Sequence, residues 1–286
     1  MSLKKQTNID LHIHPFENSV YDMAKAMEKT NLDVIALSAL DRSIYPQVME
    51  QATKEMGKIT YSEKGLMLPS GRCILKAREY NTKEGLHILT AGYTYDQATP
   101  KTEIREIIEK GIENDAIVLL DHPFVDNHKT KTAGHVNEEL EEKIKGLCEE
   151  YEGQIGIEWN SYCIPWMRQV LMHGLNFLGY KIEYYGVNEK AEELTQELAK
   201  KGKNIPLVAG SDLHARTKRS LKQMGVARII IPRTTGDTLY GIIASIKTAI
   251  FEGKHQNVKR YATWSHVVGA YCLPVLLPKV FKKPRA

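Results

Sequence analysis

Asn8-Ile9-Asp10-Leu11-His12-Ile13-His14 is the stretch on which the reading of this chain turns. It reads as a short buried strand, and period-two spacing puts Asp10, His12 and His14 on one face, where two imidazoles can meet one cation. Working outward, β-branched apolar runs at 33–38, 116–122, 154–159, 206–211 and 227–231 read as further short strands. Helical patterns lie between them, at 20–29, 100–113, 138–150, 187–201 and 238–251. Thr99-Pro100 offers an N-cap and a first-turn proline, with Ile104, Ile107 and Ile108 on one face behind it. Ala191, Leu194 and Leu198 form a second stripe, and Gly202 is its expected stop. Strands alternating with helices imply a parallel sheet with right-handed crossovers. More than five such units, without a Gly-x-Gly-x-x-Gly or Walker loop, favour a closed α/β barrel over an open nucleotide-binding sheet. One departure stands out: 72–80 and 86–92 are separated by only five residues and read as an inserted hairpin.

The chain has 286 residues, 42% hydrophobic and 26% charged, which suits a globular protein with a full core. Cys73, Cys148, Cys163 and Cys272 are far apart, so neither a disulfide framework nor a cysteine zinc finger is expected. Residues 1–10 are polar with no apolar run behind them, so no signal peptide is expected and a cytoplasmic location fits. Two regions are expected: a hydrolase barrel over 1–253 and a basic, partly apolar extension over 254–286. The extension carries seven Lys/Arg and no acid, more than the net +4 of the whole chain, so the rest is mildly acidic. Pro274 and Pro278 interrupt the apolar run 262–281, leaving no span of ~20 apolar residues to cross a bilayer. The extension is expected to pack on the barrel or a second subunit, with contact to an anionic membrane surface as the alternative.

The chemistry sits at strand ends, which converge on one mouth in a barrel of this kind. His12 and His14 close the first strand, Glu79 ends a later one, His122 follows Val118-Leu119-Leu120, Glu158 follows Ile155-Gly156-Ile157, and Asp212 and His214 follow Val208-Ala209-Gly210-Ser211. A single histidine after a strand is usually an ordinary polar residue. The joint pattern differs, because charged groups gathered in one desolvated place need neutralising. Divalent cations do this, and mixed imidazole and carboxylate ligands suit zinc, manganese or iron.

Asp10-Leu11-His12-Ile13-His14-Pro15, Glu79 before the His87-Ile88-Leu89 strand, Leu120-Asp121-His122-Pro123, and Gly210-Ser211-Asp212-Leu213-His214 with Gly225 beyond it resemble the successive motifs of the PHP domain. This is the phosphoesterase domain named for polymerases and histidinol phosphatase. The resemblance covers residues 8–250 and implies a distorted seven-stranded (β/α) barrel with two or three divalent ions. It assigns His12, His14, Glu79 (bridging two ions), His122, Asp212 and His214 as ligands, with Glu158 and Asn160 at the family's Glu-x-Asn position. The family's Thr-Asp-His after the second strand is missing, since Ser38-Ala39-Leu40 stands there. Its loss weakens one metal position, leaves a two-metal site or marks an inactive relative.

The implied activity is phosphate-ester hydrolysis by a metal-activated hydroxide, on a phosphomonoester, nucleotide or oligonucleotide. Arg42 and Arg216 lie near predicted strand ends as phosphate clamps, and Asp10 is expected to orient a ligand histidine. Phe16, Tyr93, Tyr95, Phe124 and Trp159 are candidates for stacking on a base. Two alternatives stay open: an amidohydrolase-type metal barrel, and a degenerate barrel that binds or regulates through its basic tail. Expected partners are a small phosphorylated substrate and a nucleotide or nucleic acid.

Overall fold

The computed structural model describes residues 6–16, 18–38, 45–57, 59–124, 138–163, 186–234, 236–263 and 266. In chain order the elements are β1 (Gln6–His14), α1 (Val20–Thr30), β2 (Val34–Leu37), α2 (Tyr45–Met56), β3 (Thr60–Ser62), β4 (Gly65–Met67), β5 (Cys73–Asn81), β6 (His87–Ala91), α3 (Ile104–Glu113), β7 (Ile117–Asp121) and α4 (Glu138–Glu150). There follow β8 (Ile155–Asn160), α5 (Val187–Lys200), β9 (Leu207–Gly210), β10 (Leu213–His214), a 3-10 turn (Ser220–Gln223), β11 (Arg228–Pro232), α6 (Leu239–Phe251) and β12 (Gln256–Val258). No helix among the described residues is long and apolar enough to cross a membrane.

The sheet runs β12-β11-β1-β2-β5-β6-β7-β8-β9, with β10 beside β1 and the β3–β4 hairpin on β5. Seven successive strands, β1, β2 and β5 to β9, form the expected wall of a nearly closed barrel. The expected hairpin is present: β6 runs antiparallel to both β5 and β7. Pairing is parallel from β1 to β2 to β5 and from β7 to β8 to β9. The strand expected at 227–231 is β11, and it runs antiparallel to β1.

Side-chain alternation divides each strand between two cores. Val34 and Ala36, Leu75 and Ala77, Leu89 and Ala91, and Ile117 and Leu119 fill the barrel, with Ile242, Ile243 and Ile246 of α6 packed on them. Ile35, Leu37 and Ile74 cluster with Met23 and Met27 of α1. Ile88, Val118, Leu120, Ile155 and Ile157 cluster with the apolar stripes of α3, α4 and α5.

β1 breaks this rule. Ile9 and Leu11 belong to the barrel interior, yet Ile13 packs outside with Met23 and Met27. The β1–β2 register shifts between Asp10 and Ile13. A bulge of this kind turns the two faces over, so Asp10 is parted from His12 and His14, with which strict alternation had grouped it.

Local chemistry accounts for most helix limits. Ser19 caps α1 through a capping box with Asp22, and Asn31 ends it in the left-handed conformation. Thr238 caps α6 by accepting from the Gly241 amide. α3 corrects the expected start at Pro100: the Thr99 amide donates to Thr102 Oγ1 and the Lys101 amide to Thr99 Oγ1, which closes a turn first. The helix then begins at Ile104, whose amide donates to Glu84 from the hairpin loop. α2 and the short strands β3, β4, β10 and β12 carry too little periodic pattern to be read from sequence.

β12 lies past residue 253, inside the segment expected as an extension, and it seals the barrel. Backbone amides and carbonyls at a strand edge need partners. On β9 a side chain supplies them: the Ala209 amide donates to Asn257 Oδ1 at 2.8 Å, and Asn257 Nδ2 donates to the Leu207 carbonyl at 2.7 Å. His255 Nε2 meets the same carbonyl at 2.8 Å. Removing these bonds leaves buried backbone unsatisfied, at roughly 1–3 kcal/mol. Asn257→Ala should therefore lower the urea midpoint of unfolding by a corresponding amount; an unchanged midpoint would show that the seam is held otherwise.

Candidate metal centre

Six strands deliver polar groups to one end of the barrel. β1 brings His12 and His14, β5 brings Glu79, β7 ends in Asp121 and His122, β8 brings Glu158 and Asn160, and the β9–β10 turn brings Asp212 and His214. β6 contributes at its start, because it runs antiparallel to its neighbours and His87 opens it at the same end. Register fixes their common face. His87 pairs directly with Asp121, and Glu79 pairs with Leu89, two residues along from His87 on the same side.

Among the described residues, three groups of side chains lie close enough to hold a cation, each with ligand atoms within 4.8 Å of one another. The first is Glu79, His87, Asp121 and His122; the second is His12, His14 and Asp212; the third is His12, Asp121 and Glu158. Glu79 stands between the first two. One of its oxygens lies 3.3 Å from His14 Nε2, and the other contacts His87 and lies 3.5 Å from His122 Nε2. His12 Nε2 and His14 Nε2 face each other at 3.0 Å, 3.5 and 3.4 Å from Asp212 Oδ1. Behind them His12 Nδ1 meets Glu158 Oε1 at 2.8 Å, and Asn160 Nδ2 donates to both Glu158 and Asp212. His214 lies beside His14, ring centroids 4.6 Å apart, with its Nδ1 turned to the Asp212 carbonyl.

The pocket is almost dry: Asp10, His12, Asp121, Glu158 and Asn160 are fully buried. Burial alone would lower the pKa of His122, but the Asp121 and Glu79 carboxylates overturn this and push it up to about 10. His12 follows the same course, with burial outweighed by Asp121, Glu158 and Asp212. Glu79 is held well below the usual carboxylate range: burial opposes this, and His122, His14 and His87 outweigh it. Asp121 goes the other way, raised by burial and by Glu158 beside it.

Polar satisfaction tests whether cations fit. Among the described residues, both oxygens of Asp121, Oδ1 of Asp212, Nδ1 of His122 and Nε2 of His87 are buried without a hydrogen-bond partner. Such groups are costly to leave unmade in a protein interior. Here they are lone-pair donors of the imidazole and carboxylate type, gathered in one place, and this donor set suits divalent transition ions. Backbone strain borders the same site, since His122, Asp212 and Phe16 have φ of 29°, 47° and 49°.

The remaining sequence candidates fall at different places. Asp10 touches no imidazole ring. Its carboxylate accepts from the amides of His12, Ser211 and Gly225, and burial raises its pKa to about 6. Arg216 lies at the mouth with its guanidinium 4.4 Å above the Phe16 ring. Arg42, Ala39 and Leu40 lie outside the described residues; Ser38, at the end of β2, is buried with no partner for its hydroxyl among them. Sequence reading passed over His87 and Asp121 as ligands. The available signal was the hairpin, which sets His87 on the same face as Glu79. Tyr162 was also passed over: its hydroxyl accepts from the His214 amide and contacts His266, so the chain beyond 253 reaches the edge of the site.

Among solved structures the chain is similar to PsfC from Pseudomonas syringae, with a TM-score of 0.54 and 12% identity over 96% of this chain and 100% of that one. It is similar to a two-domain Bacteroides vulgatus protein described as containing a predicted PHP-like metal-dependent phosphoesterase, at 0.50 and 16% over 90% and 65%. The fold is of the PHP type. A third neighbour is the lesion-specific endonuclease PfuEndoQ from Pyrococcus furiosus, at 0.50 and 14% over 88% of this chain and 57% of that one. The chain thus spans under two thirds of the last two proteins. No protein-family model and no curated protein matches the sequence.

The PHP-type motif Gly210-Ser211-Asp212 has a steric basis. A Cβ on Gly210 would lie 2.2 Å from Glu158 Oε1. That oxygen is buried and held by His12, so it has nowhere to retreat. Gly210→Ala should cost about 1–3 kcal/mol, as overpacking does, and should weaken any divalent-cation binding at the pocket by moving Glu158 off His12. Retention of wild-type stability and metal affinity in calorimetry would show that the pocket gives way freely.

Proposed function

We propose that the protein is a metal-dependent phosphoesterase that hydrolyses a phosphate ester at this centre. One observation carries the reading: imidazoles and carboxylates from six strands converge in a buried pocket where both Asp121 oxygens and Asp212 Oδ1 lack hydrogen-bond partners among the described residues. His12, His14 and Asp212 would hold one ion, and His87, Asp121 and His122 another, with Glu79 shared between them. Glu158 accepts from His12 Nδ1 and so leaves Nε2 to face the cation, a common second partner for a ligating histidine. His214 borders the His12–His14–Asp212 group beside His14. Divalent ions bound there would lower the pKa of water towards neutrality and offset charge on phosphoryl oxygens. The chain's own part is to fix the ligands, keep the pocket dry and bring the Arg216 guanidinium to the mouth as a phosphate clamp. Two neighbours, described as containing a predicted metal-dependent phosphoesterase and as an endonuclease, support the same class of chemistry.

The deciding experiment joins metal analysis of the purified protein to a phosphate-ester panel with added manganese. Bound manganese, zinc or iron and ester hydrolysis are expected, and His12→Ala should abolish the hydrolysis. Full activity in metal-free protein, or in His12→Ala, would defeat the assignment.

Arg216 is tested separately. Its Nε is buried without a partner among the described residues, and the guanidinium is set over Phe16. Charge-assisted bonds of this sort contribute roughly 1.5–3 kcal/mol. Arg216→Ala should therefore lower kcat/KM towards phosphate esters by about 10- to 100-fold, and Arg216→Lys should recover only part of it. Unchanged kinetics would remove Arg216 from the site.

A further inference from the structure

The five aromatic residues near strand ends do not share one environment. Phe124 and Trp159 are 1% and 3% exposed, inside apolar clusters, and Tyr93 and Tyr95 pack against the outer core. Phe16 is 43% exposed and borders the metal centre, with its ring centroid 5.7 Å from His214 and 6.3 Å from His14. Its position is costly twice over. A large apolar ring faces water, and a non-glycine residue holds a left-handed backbone with φ 49°. The Arg216 guanidinium covers the ring at 4.4 Å in a cation–π contact, while Arg216 Nε has no partner among the described residues. Ring and guanidinium thus form one layered unit beside the ligand imidazoles: a charge suited to a phosphoryl group and a π-surface suited to a flat one.

We infer that Phe16 is a specificity-determining platform, on which a planar ring carried by the substrate stacks while the attached phosphate meets the centre. The inference rests on the reading of the site as a phosphate-ester site, and it narrows the substrate to esters bearing a base or aryl group. An aliphatic phosphate offers the guanidinium the same charge but gives the ring nothing to stack on.

The test compares adenosine 5′-monophosphate, phenyl phosphate and glycerol 3-phosphate, for both calorimetric binding and hydrolysis, in wild type, Phe16→Ala, Phe16→Leu and Phe16→Trp. Stacking on a side chain is worth roughly 1–3 kcal/mol per base, about 5- to 150-fold. The wild type should bind the planar esters more tightly than glycerol 3-phosphate. Phe16→Ala and Phe16→Leu should lose that preference, weakening the planar esters by more than glycerol 3-phosphate, while Phe16→Trp should keep it. Preference for the adenosine ester alone identifies a base; equal preference for the phenyl ester identifies any flat ring. Equal losses on all three ligands, or none on the planar pair, would overturn the platform. The two readings fail separately: planar-selective binding without hydrolysis keeps the platform and removes the esterase, and hydrolysis of all three without dependence on Phe16 does the reverse.

Discussion

The carboxylate of Asp10 ties together three parts of the chain that are far apart in sequence. It is fully buried and accepts from the amides of His12 at 3.3 Å, Ser211 at 3.1 Å and Gly225 at 2.9 Å. A buried carboxylate without such donors would be strongly disfavoured, and the three amides would be equally costly unpaired. The bond to His12 sits within the β1 bulge, and the bond to Ser211 sits one residue before Asp212. Both arms of the His12–His14–Asp212 group are therefore set by one side chain. Gly225 reaches it with φ +70°, and a Cβ there would meet Leu32. Asp10 thus shapes the site by holding backbone, and the chemistry falls to its neighbours.

Around that anchor the pocket gathers buried groups of both charge signs. Glu79, Asp121, Glu158 and Asp212 face His12, His14, His87 and His122. His12, His14 and His122 answer by holding their protons more tightly, and the pKa of His122 rises to about 10. A proton on an imidazole nitrogen and a metal ion compete for the same lone pair, so cation binding at these residues must release protons. Asp121 is the extreme case: Glu158 lies beside it, neither of its oxygens accepts a hydrogen bond among the described residues, and its nearest cationic groups are the His12 and His122 rings at 3.3 and 3.5 Å.

Much of this was legible before any coordinates. Buried strands alternating with amphipathic stripes implied the barrel, and the five-residue gap between 80 and 86 implied the antiparallel insertion. His12, His14, Glu79, His122, Glu158 and Asp212 were visible as polar residues ending apolar runs, and they do meet. His87 and Asp121 were not, because a histidine opening a strand and an aspartate next to a histidine have no mark of their own. Only the register, which pairs His87 with Asp121 and places Glu79 on the same face, brings them into the group. Asp10 was misplaced for the opposite reason: a period of two carries no sign of the bulge that interrupts it.

By itself, the sequence determined which residues are apolar, how often they recur and where polar groups interrupt them, and short-range sterics convert that pattern into strands, helices and caps. Tertiary structure decided which strand ends share a mouth, which carboxylates lie beyond the reach of water, and which amides Asp10 and Asn257 satisfy. Those outcomes depend on contacts between distant parts of the chain, such as Gly225 and Asp10, 215 residues apart, and no local window of sequence contains both partners.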